Sequence, residues 1–360
     1  RVQASIAGKP APTKTPTQLP FQWLPNCGGV ALTLRGALRT VKILIVKTSS
    51  MGDVVHAMPA ISDIAANIPG VAIDWIVEAP FAALPALHPA VRNVIPIAWR
   101  KWRKSLEKPE TRAAFKAARA AIAKEHYDLV LDLQGLVKSA LWATQADGPR
   151  AGYDWASARE PLASLFYKKR AAVDKTLHAV ERSRRLAAAH LGYEIAGKAK
   201  FSLKAPDAAW TPQSPRYAVL ITGASRPEKL WPEASWQAVA QALQAQGLAL
   251  VWLWGSAEEG ERSKRLAAAA GGEVPPFLTV KDAAAVLARA SVCVGLDTGF
   301  SHIAAAFGVP TVGIYCDHEP GLVGITGDGF VASVGGRGQR PTTEAVLGLV
   351  RQALAAPKTP

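Results

Sequence analysis

From Val41 onward the chain alternates between two hydrophobic patterns. Residues 41–47 are an almost unbroken apolar run, as expected of a strand buried on both faces in a parallel sheet. A loop of small residues, 48–53, follows. Residues 54–66 then read as a helix, interrupted early by Pro59. The same logic predicts strands over 72–77, 94–97 and 129–133. Helices are predicted over 112–125, alanine-rich with basic residues along one side, and over 179–190. Pro206, Pro212 and Pro215 then crowd into ten residues and mark a linker. Beyond it the alternation restarts. Strands are predicted over 217–221, 248–254, 292–296 and 311–315. Helices are predicted over 235–246, 259–270, 282–290, 301–307 and 343–355.

Two strand–helix arrays joined by a linker predict an α/β protein with two Rossmann-like, doubly wound parallel-sheet domains. The expected division is an N-terminal domain over 41–205, a linker over 206–216, a C-terminal domain over 217–340, and a closing helix and tail over 341–360. Ligands of such sheets bind beyond the carboxyl ends of the strands, so the cleft between the domains is the expected site. Residues 1–40 lack periodicity and repeat the proline pairs Lys9-Pro, Thr15-Pro, Leu19-Pro and Leu24-Pro. No order is expected there. The chain begins with Arg1, and its first methionine is Met51. Val41 directly precedes the first strand, so the natural start is expected there, read from a GTG codon.

The length of 360 residues agrees with this division, at about 100–200 residues per domain. A hydrophobic content of 49% excludes a disordered chain. Cys27, Cys293 and Cys316 are too few and too scattered for a disulfide framework or a zinc site, and a reducing compartment is the default. The charge is more informative. There are 42 Lys+Arg against 28 Asp+Glu, a formal +14. Five of those charges fall in residues 1–40, which hold no acid. Residues 100–125 hold nine basic and three acidic residues. Such an excess fits nucleic acid, an anionic membrane face or a phosphorylated substrate. Nucleic acid has only charge in its favour, because no zinc-finger spacing and no RNP-type aromatic string is present. No apolar run reaches the roughly 18 residues of a transmembrane helix, and no secretory signal is expected.

Three loops carry candidate chemistry. In the first, Gly52 permits a tight turn, and Asp53 stands near the start of the next helix. Asp53 is either a helix cap or a general base facing the cleft, and Lys47 is either the charge that keeps it ionised or a strand-end surface lysine. The loop matches neither a P-loop nor a dinucleotide fingerprint. In the second domain, the loop after residue 221 offers Ser225, Arg226 and Lys229, which are solvated loop charges or phosphate ligands. The loop after Trp254 offers Glu258 and Glu259, which complement a helix dipole or bind ribose hydroxyls. The sharpest feature is Asp297-Thr-Gly-Phe-Ser-His, where a strand ends and a helix begins. Backbone N–H groups at such a helix start suit a diphosphate, with a capped helix as the alternative reading, and His302 is either a phosphate donor or a packed polar residue.

Taken together, these segments resemble the bacterial lipopolysaccharide heptosyltransferases, most closely the type that adds the first heptose. The likeness rests on Ile43-Leu-Ile-Val-Lys-Thr-Ser-Ser-Met-Gly-Asp-Val-Val-His, Asp132-Leu-Gln-Gly-Leu-Val-Lys-Ser-Ala and Arg159-Glu-Pro-Leu-Ala-Ser-Leu-Phe-Tyr. Asp297-Thr-Gly-Phe-Ser-His and Glu319-Pro-Gly-Leu-Val-Gly complete it, over about residues 41–355. The resemblance implies a GT-B architecture with an interdomain cleft, the acceptor on the first domain and the nucleotide sugar on the second. It implies an ADP-heptose donor, a Kdo2-lipid A acceptor, inversion at the anomeric centre and a link to O5 of Kdo. Asp53 would be the catalytic base. Ser225, Lys229, Glu259, Asp297, Thr298, Gly299 and His302 would bind the donor. Ala224 departs from the hydroxyl residue often found beside Ser225. Arg100, Lys101, Arg103, Lys104 and Arg159 would bind the acceptor.

No cofactor and no metal is expected, because a lysine, a histidine and a helix N-terminus suffice to stabilise a departing diphosphate. The basic excess then points to the anionic inner-membrane surface, with peripheral placement on its cytoplasmic face, rather than to nucleic acid. The alternatives are a type II enzyme acting on heptosylated acceptor, or an anionic-sugar-binding protein without turnover.

Overall fold

The computed structural model describes residues 40–356 apart from 225 and 318, together with two short strands before them. Those strands, β1 (Leu24–Asn26) and β2 (Gly29–Ala31), pair antiparallel. This corrects the expectation of no order within 1–40. The rest of that expectation lies outside the described residues.

The first sheet holds six strands: β3 (Lys42–Val46), β4 (Ala72–Glu78), β5 (Val91–Ile97), β6 (Leu129–Asp132), β7 (Arg150–Tyr153) and β8 (Lys169–Ala171). All pair parallel, in the order β5-β4-β3-β6-β7-β8. The second sheet holds β9 (Tyr217–Ile221), β10 (Ala249–Leu253), β11 (Val292–Leu296), β12 (Thr311–Tyr315) and β13 (Val331–Gly335). It too is parallel, in the order β10-β9-β11-β12-β13. In each sheet the strand order reverses beside the sheet's first parallel strand. β3 lies between β4 and β6, and β9 lies between β10 and β11. Chain leaving the two sides of such a switch point diverges to opposite faces and opens a crevice. The loops after β3, β9 and β11 therefore border the crevices.

The connecting helices are α1 (Met51–Asn67), α2 (Ala83–Ala86), α3 (Trp99–Trp102), α4 (Pro109–Ile122), α5 (Val137–Ala143) and α6 (Ala179–Leu191). In the second domain they are α7 (Glu233–Gln244), α8 (Ala257–Ala270), α9 (Val280–Arg289), α10 (Gly299–Ala306) and α11 (Thr343–Ala355). Pro59 does not interrupt α1, which runs through it for 17 residues. Nine residues of α1, Pro59 among them, are buried, so packing on both sides outweighs the lost hydrogen bond.

One apolar cluster joins the domains. It runs from Ile43 and Ile45 of β3 through Val54, Met58 and Ile61 of α1 to Ile303 and Ala304 of α10. Polar contacts reinforce the junction. Ala179 N donates to Leu322 O at 2.8 Å, and His178 Nε2 meets Gly324 O at 2.9 Å. No helix among the described residues is long and apolar enough to cross a membrane.

Candidate functional site

A cleft of about 1490 Å³ lies between the carboxyl edges of the two sheets. Its first wall is the loop between β3 and α1. Lys47 is buried and donates from Nζ to Leu133 O at 3.0 Å. Gln134 Oε1 accepts from both Thr48 N and Thr48 Oγ1, and Lys138 Nζ donates to Ser49 Oγ, so β6 and α5 hold the loop. Asp132 is fully buried beneath it. Its carboxylate accepts from Ser139 and Tyr167 and from the Gln134 and Gly135 amides. That anchors α5 and the turn after β6 to one point.

Asp53 occupies the first turn of α1. Its Oδ2 accepts from Ser50 N at 2.8 Å and Ser50 Oγ at 2.9 Å. The capping role is therefore real, and it uses one oxygen. Oδ1 remains for the cleft that Asp53 lines. Burial alone would raise the Asp53 pKa. The Lys47 ammonium and the two Ser50 bonds, with help from Arg159, outweigh it and hold the carboxyl below its ordinary value. Burial lowers the Lys47 pKa, and the neighbouring Asp53 and Asp132 carboxylates work against that fall.

The second wall is built on β9, β10 and β11. Lys229 Nζ pairs with Asp297 Oδ2 at 2.8 Å, and His302 Nε2 stands 3.6 Å from Asp297 Oδ1. Burial works against the Asp297 charge. His302 and Lys229 prevail and bring its pKa down to about 2. Thr298 is the N-cap of α10, but its side chain makes no capping bond, and its buried Oγ1 has no protein partner. Gly299 opens the helix, whose first N–H groups have no intrahelical acceptors. Glu259 accepts from Gly255 N at 2.7 Å through Oε2. Its side chain lies against Gly223, where a Cβ would collide with it. Phe277, Thr279 and Lys281 line the same end of the cleft.

The walls meet where the N-termini of α1 and α10 approach. Gly52 faces the His302 ring, and Gly299 faces the Met51 side chain. Beyond this contact, His56 Nε2 and His302 Nδ1 lie 3.1 Å apart. His178 packs its ring edgewise on His56, with centroids 5.2 Å apart. Burial, then the neighbouring histidines, hold His56 well below the ordinary imidazole pKa.

The structure brings Asp53, Arg159, Lys229, Glu259, Asp297, Thr298, Gly299 and His302 together around this one cleft. Ser225 lies outside the described residues. Arg100 stands just behind the rim. Its amide donates to Glu78 Oε1 at 3.3 Å, and its guanidinium lies over the ring of Phe81, a lining residue. Lys101, Arg103 and Lys104 are exposed on and after α3, away from the lining. Several lining residues escaped the sequence reading: His56, Lys175, Arg182, Phe277, Thr279 and Lys281. His56 had a signal, since it follows Asp53 by three residues and shares its helix face. Arg182 stacks over Tyr153 at 4.9 Å and donates to Ser157 O, positions without any motif.

Comparison with known proteins agrees with this geometry. Residues 115–346 match glycosyltransferase family 9 (heptosyltransferase). Lipopolysaccharide heptosyltransferase 1 of Escherichia coli K12 is 44% identical over 293 residues, covering 79% of this chain and 90% of that protein. The protein of the same name from Pseudomonas aeruginosa is 43% identical over 291 residues, covering 80% and 82%. The structure of Escherichia coli heptosyltransferase WaaC with ADP superposes with a TM-score of 0.80 at 40% identity, covering 87% of this chain and all of that one. A second WaaC structure, with ADP-2-deoxy-2-fluoro heptose, gives 0.77. The two parallel sheets, the cleft between their carboxyl edges and these matches together make the chain a glycosyltransferase of family 9, the heptosyltransferases.

Proposed function

We propose that the protein transfers L-glycero-D-manno-heptose from ADP-heptose to O5 of Kdo on Kdo2-lipid A, with inversion, as the first heptose of the lipopolysaccharide inner core. It acts peripherally at the cytoplasmic face of the inner membrane. The supporting observation is the meeting of α1 and α10. It sets the free oxygen of Asp53 beside the helix start and lysine that suit a diphosphate.

In this reading Asp53 Oδ1 takes the proton from the acceptor hydroxyl as its oxygen attacks the anomeric carbon. The bond to the ADP oxygen breaks on the opposite face of the sugar. Lys229, His302 and the α10 N–H groups stabilise the charge that develops on the diphosphate. Glu259 has one oxygen engaged by Gly255 and offers the other to a ribose hydroxyl. Arg159 and the Arg100–Lys104 segment meet the acceptor's carboxylates and phosphates, for which guanidinium groups offer paired donors. Residues 41–205 then bind acceptor and residues 217–340 bind donor.

The test is to incubate the protein with ADP-heptose and Kdo2-lipid A, following ADP release and product mass. Stoichiometric ADP and a product heavier by one heptose are expected. Transfer only to an already heptosylated acceptor would make it a type II enzyme. Donor binding with no turnover on either acceptor would make it a binding protein.

A further inference from the structure

The described residues include seven large hydrophobics with exposed side chains. Phe277 and Leu322 line the cleft. The other five, Leu106, Leu141, Trp155, Leu162 and Leu165, all belong to the first domain. They stand on the connections that follow β5, β6 and β7, whose helices and the turn Pro161–Phe166 pack side by side along one edge of the domain. Scattered exposed leucines are ordinary, but a group on one edge is not.

Helix α5 ties the group together. On one side Ala140 packs against Ala163 of the short turn Pro161–Phe166. On the other, Trp142 meets Trp99, Trp102 and Phe115 of α3 and α4, with ring centroids 5.4–6.3 Å apart. Leu141, 47% exposed, therefore stands between Leu162 and Leu165 of the turn and the basic α3–α4 arm. That arm, residues 100–125, carries nine Lys+Arg and three Asp+Glu. Beyond the turn, Lys168 and Arg170 are exposed.

The charge follows the same division. Residues 41–205 hold 25 Lys+Arg and 15 Asp+Glu, a net +10, whereas residues 217–356 hold 10 and 12, a net −2. Exposed leucines with basic residues on both flanks suit the boundary between anionic headgroups and acyl chains.

We propose that this edge seats the protein on an anionic bilayer, with Leu141, Leu162 and Leu165 entering the acyl boundary and the exposed basic stripe of α4, Arg112, Lys116 and Arg119, lying on the headgroups. The partner is the bilayer rather than the acyl chains of one acceptor, because the apolar positions span separate segments and basic residues border them on two sides. Arg159, which lines the cleft, precedes the leucine-bearing turn by two residues, so docking there turns the cleft mouth toward the lipid. The inference rests on the proposed reaction only in that the acceptor is a lipid.

The test is flotation of the full chain with vesicles of phosphatidylcholine, with and without phosphatidylglycerol. Wild type is expected on the anionic vesicles and to fall off as salt rises. Combined Leu141→Ser, Leu162→Ser and Leu165→Ser should weaken that binding about tenfold or more. Transfer to a deacylated, water-soluble acceptor should stay at the wild-type rate, and transfer to bilayer-embedded acceptor should drop. Arg112→Glu with Lys116→Glu, on the exposed stripe of α4, should weaken vesicle binding independently of the leucines. This pair decides the matter if the leucine variant loses its soluble-acceptor activity. Wild-type vesicle binding by the leucine variant with intact soluble activity, or by the charge-reversed pair, overturns the proposal. Vesicle binding that depends on the leucines in a protein that transfers to neither acceptor would sink the proposed reaction and leave the docking edge standing.

Discussion

Each wall of the cleft presents an aspartate where a strand gives way to a helix at a switch point, and the two are treated in opposite ways. Asp297 has both oxygens engaged, one by Lys229 and one by His302. Asp53 has both of its bonds on Oδ2, and both come from the neighbouring Ser50. The Lys47 ammonium, whose charge helps hold Asp53 ionised, donates instead to a backbone carbonyl. Both carboxylates are held ionised, but only Asp53 keeps an oxygen ready to accept a proton. In the proposed reaction, what would separate base from scaffold is therefore the oxygen left uncommitted, rather than the residue type or its place in the fold.

The strongest way to break this contrast is Asp53→Asn. Asparagine can still cap α1 through its carbonyl oxygen, so the helix should survive. Turnover is expected to fall by roughly 10²–10⁴-fold, with ADP affinity by calorimetry unchanged. Near-normal turnover would remove Asp53 as the base. On the opposite wall, Lys229→Ala leaves Asp297 with His302 alone. Turnover should fall by about 10²–10³-fold, and here ADP affinity should fall as well. A loss of turnover with full ADP affinity would move Lys229 out of the diphosphate site.

A smaller effect is expected at the seam between the walls. His56→Phe removes the partner of His302 Nδ1, and a hydrogen bond of this kind is worth roughly 0.5–1.5 kcal/mol. Turnover should drop several-fold while the soluble fold, followed by circular dichroism, is kept. An unchanged rate would show that His302 is held by Asp297 without help from the first domain.

The smallest effect is on stability. Burial holds His56, His178 and His190 below the ordinary imidazole pKa and brings His88 to about 4. The unfolded chain then takes up protons that the folded chain refuses once the pH falls below about 6.5. Stability from these groups is full above that value and declines as the pH descends. The melting temperature should fall between about pH 7 and about pH 5, less steeply in His88→Gln. A flat profile would mean that the seam and its surroundings admit protonated histidine freely.

Much of the fold can be read from the chain because strands buried in parallel sheets are continuous apolar runs. The predicted and observed limits of β9, β11 and β12 coincide. The exceptions are instructive. β8 reads Lys-Arg-Ala and forms a sheet edge, so no apolar run marks it. β13 also forms an edge, and its five residues are only partly covered. α1 starts three residues before its apolar pattern does, because Ser50 and Asp53 cap it there.

The candidate site divides in the same way. Asp53, Glu259 and the Asp297–His302 segment stand at strand ends and are found by position. His56 is different: its spacing from Asp53 puts both on one helix face, but its partner is 246 residues away, so nothing local announces the contact. The Arg100–Lys104 run is conspicuous as charge, yet only Arg100 reaches the back of the cleft rim.

The facing glycines have a practical consequence. Gly299 leaves room for Met51, and Gly52 leaves room for His302, so each domain supplies the hollow into which the other fits. A methyl group at Gly299 would act as a doorstop, holding the halves ajar until Met51 is trimmed. Gly299→Ala should therefore uncouple the two domains mechanically, and a shorter residue at position 51 should restore their fit.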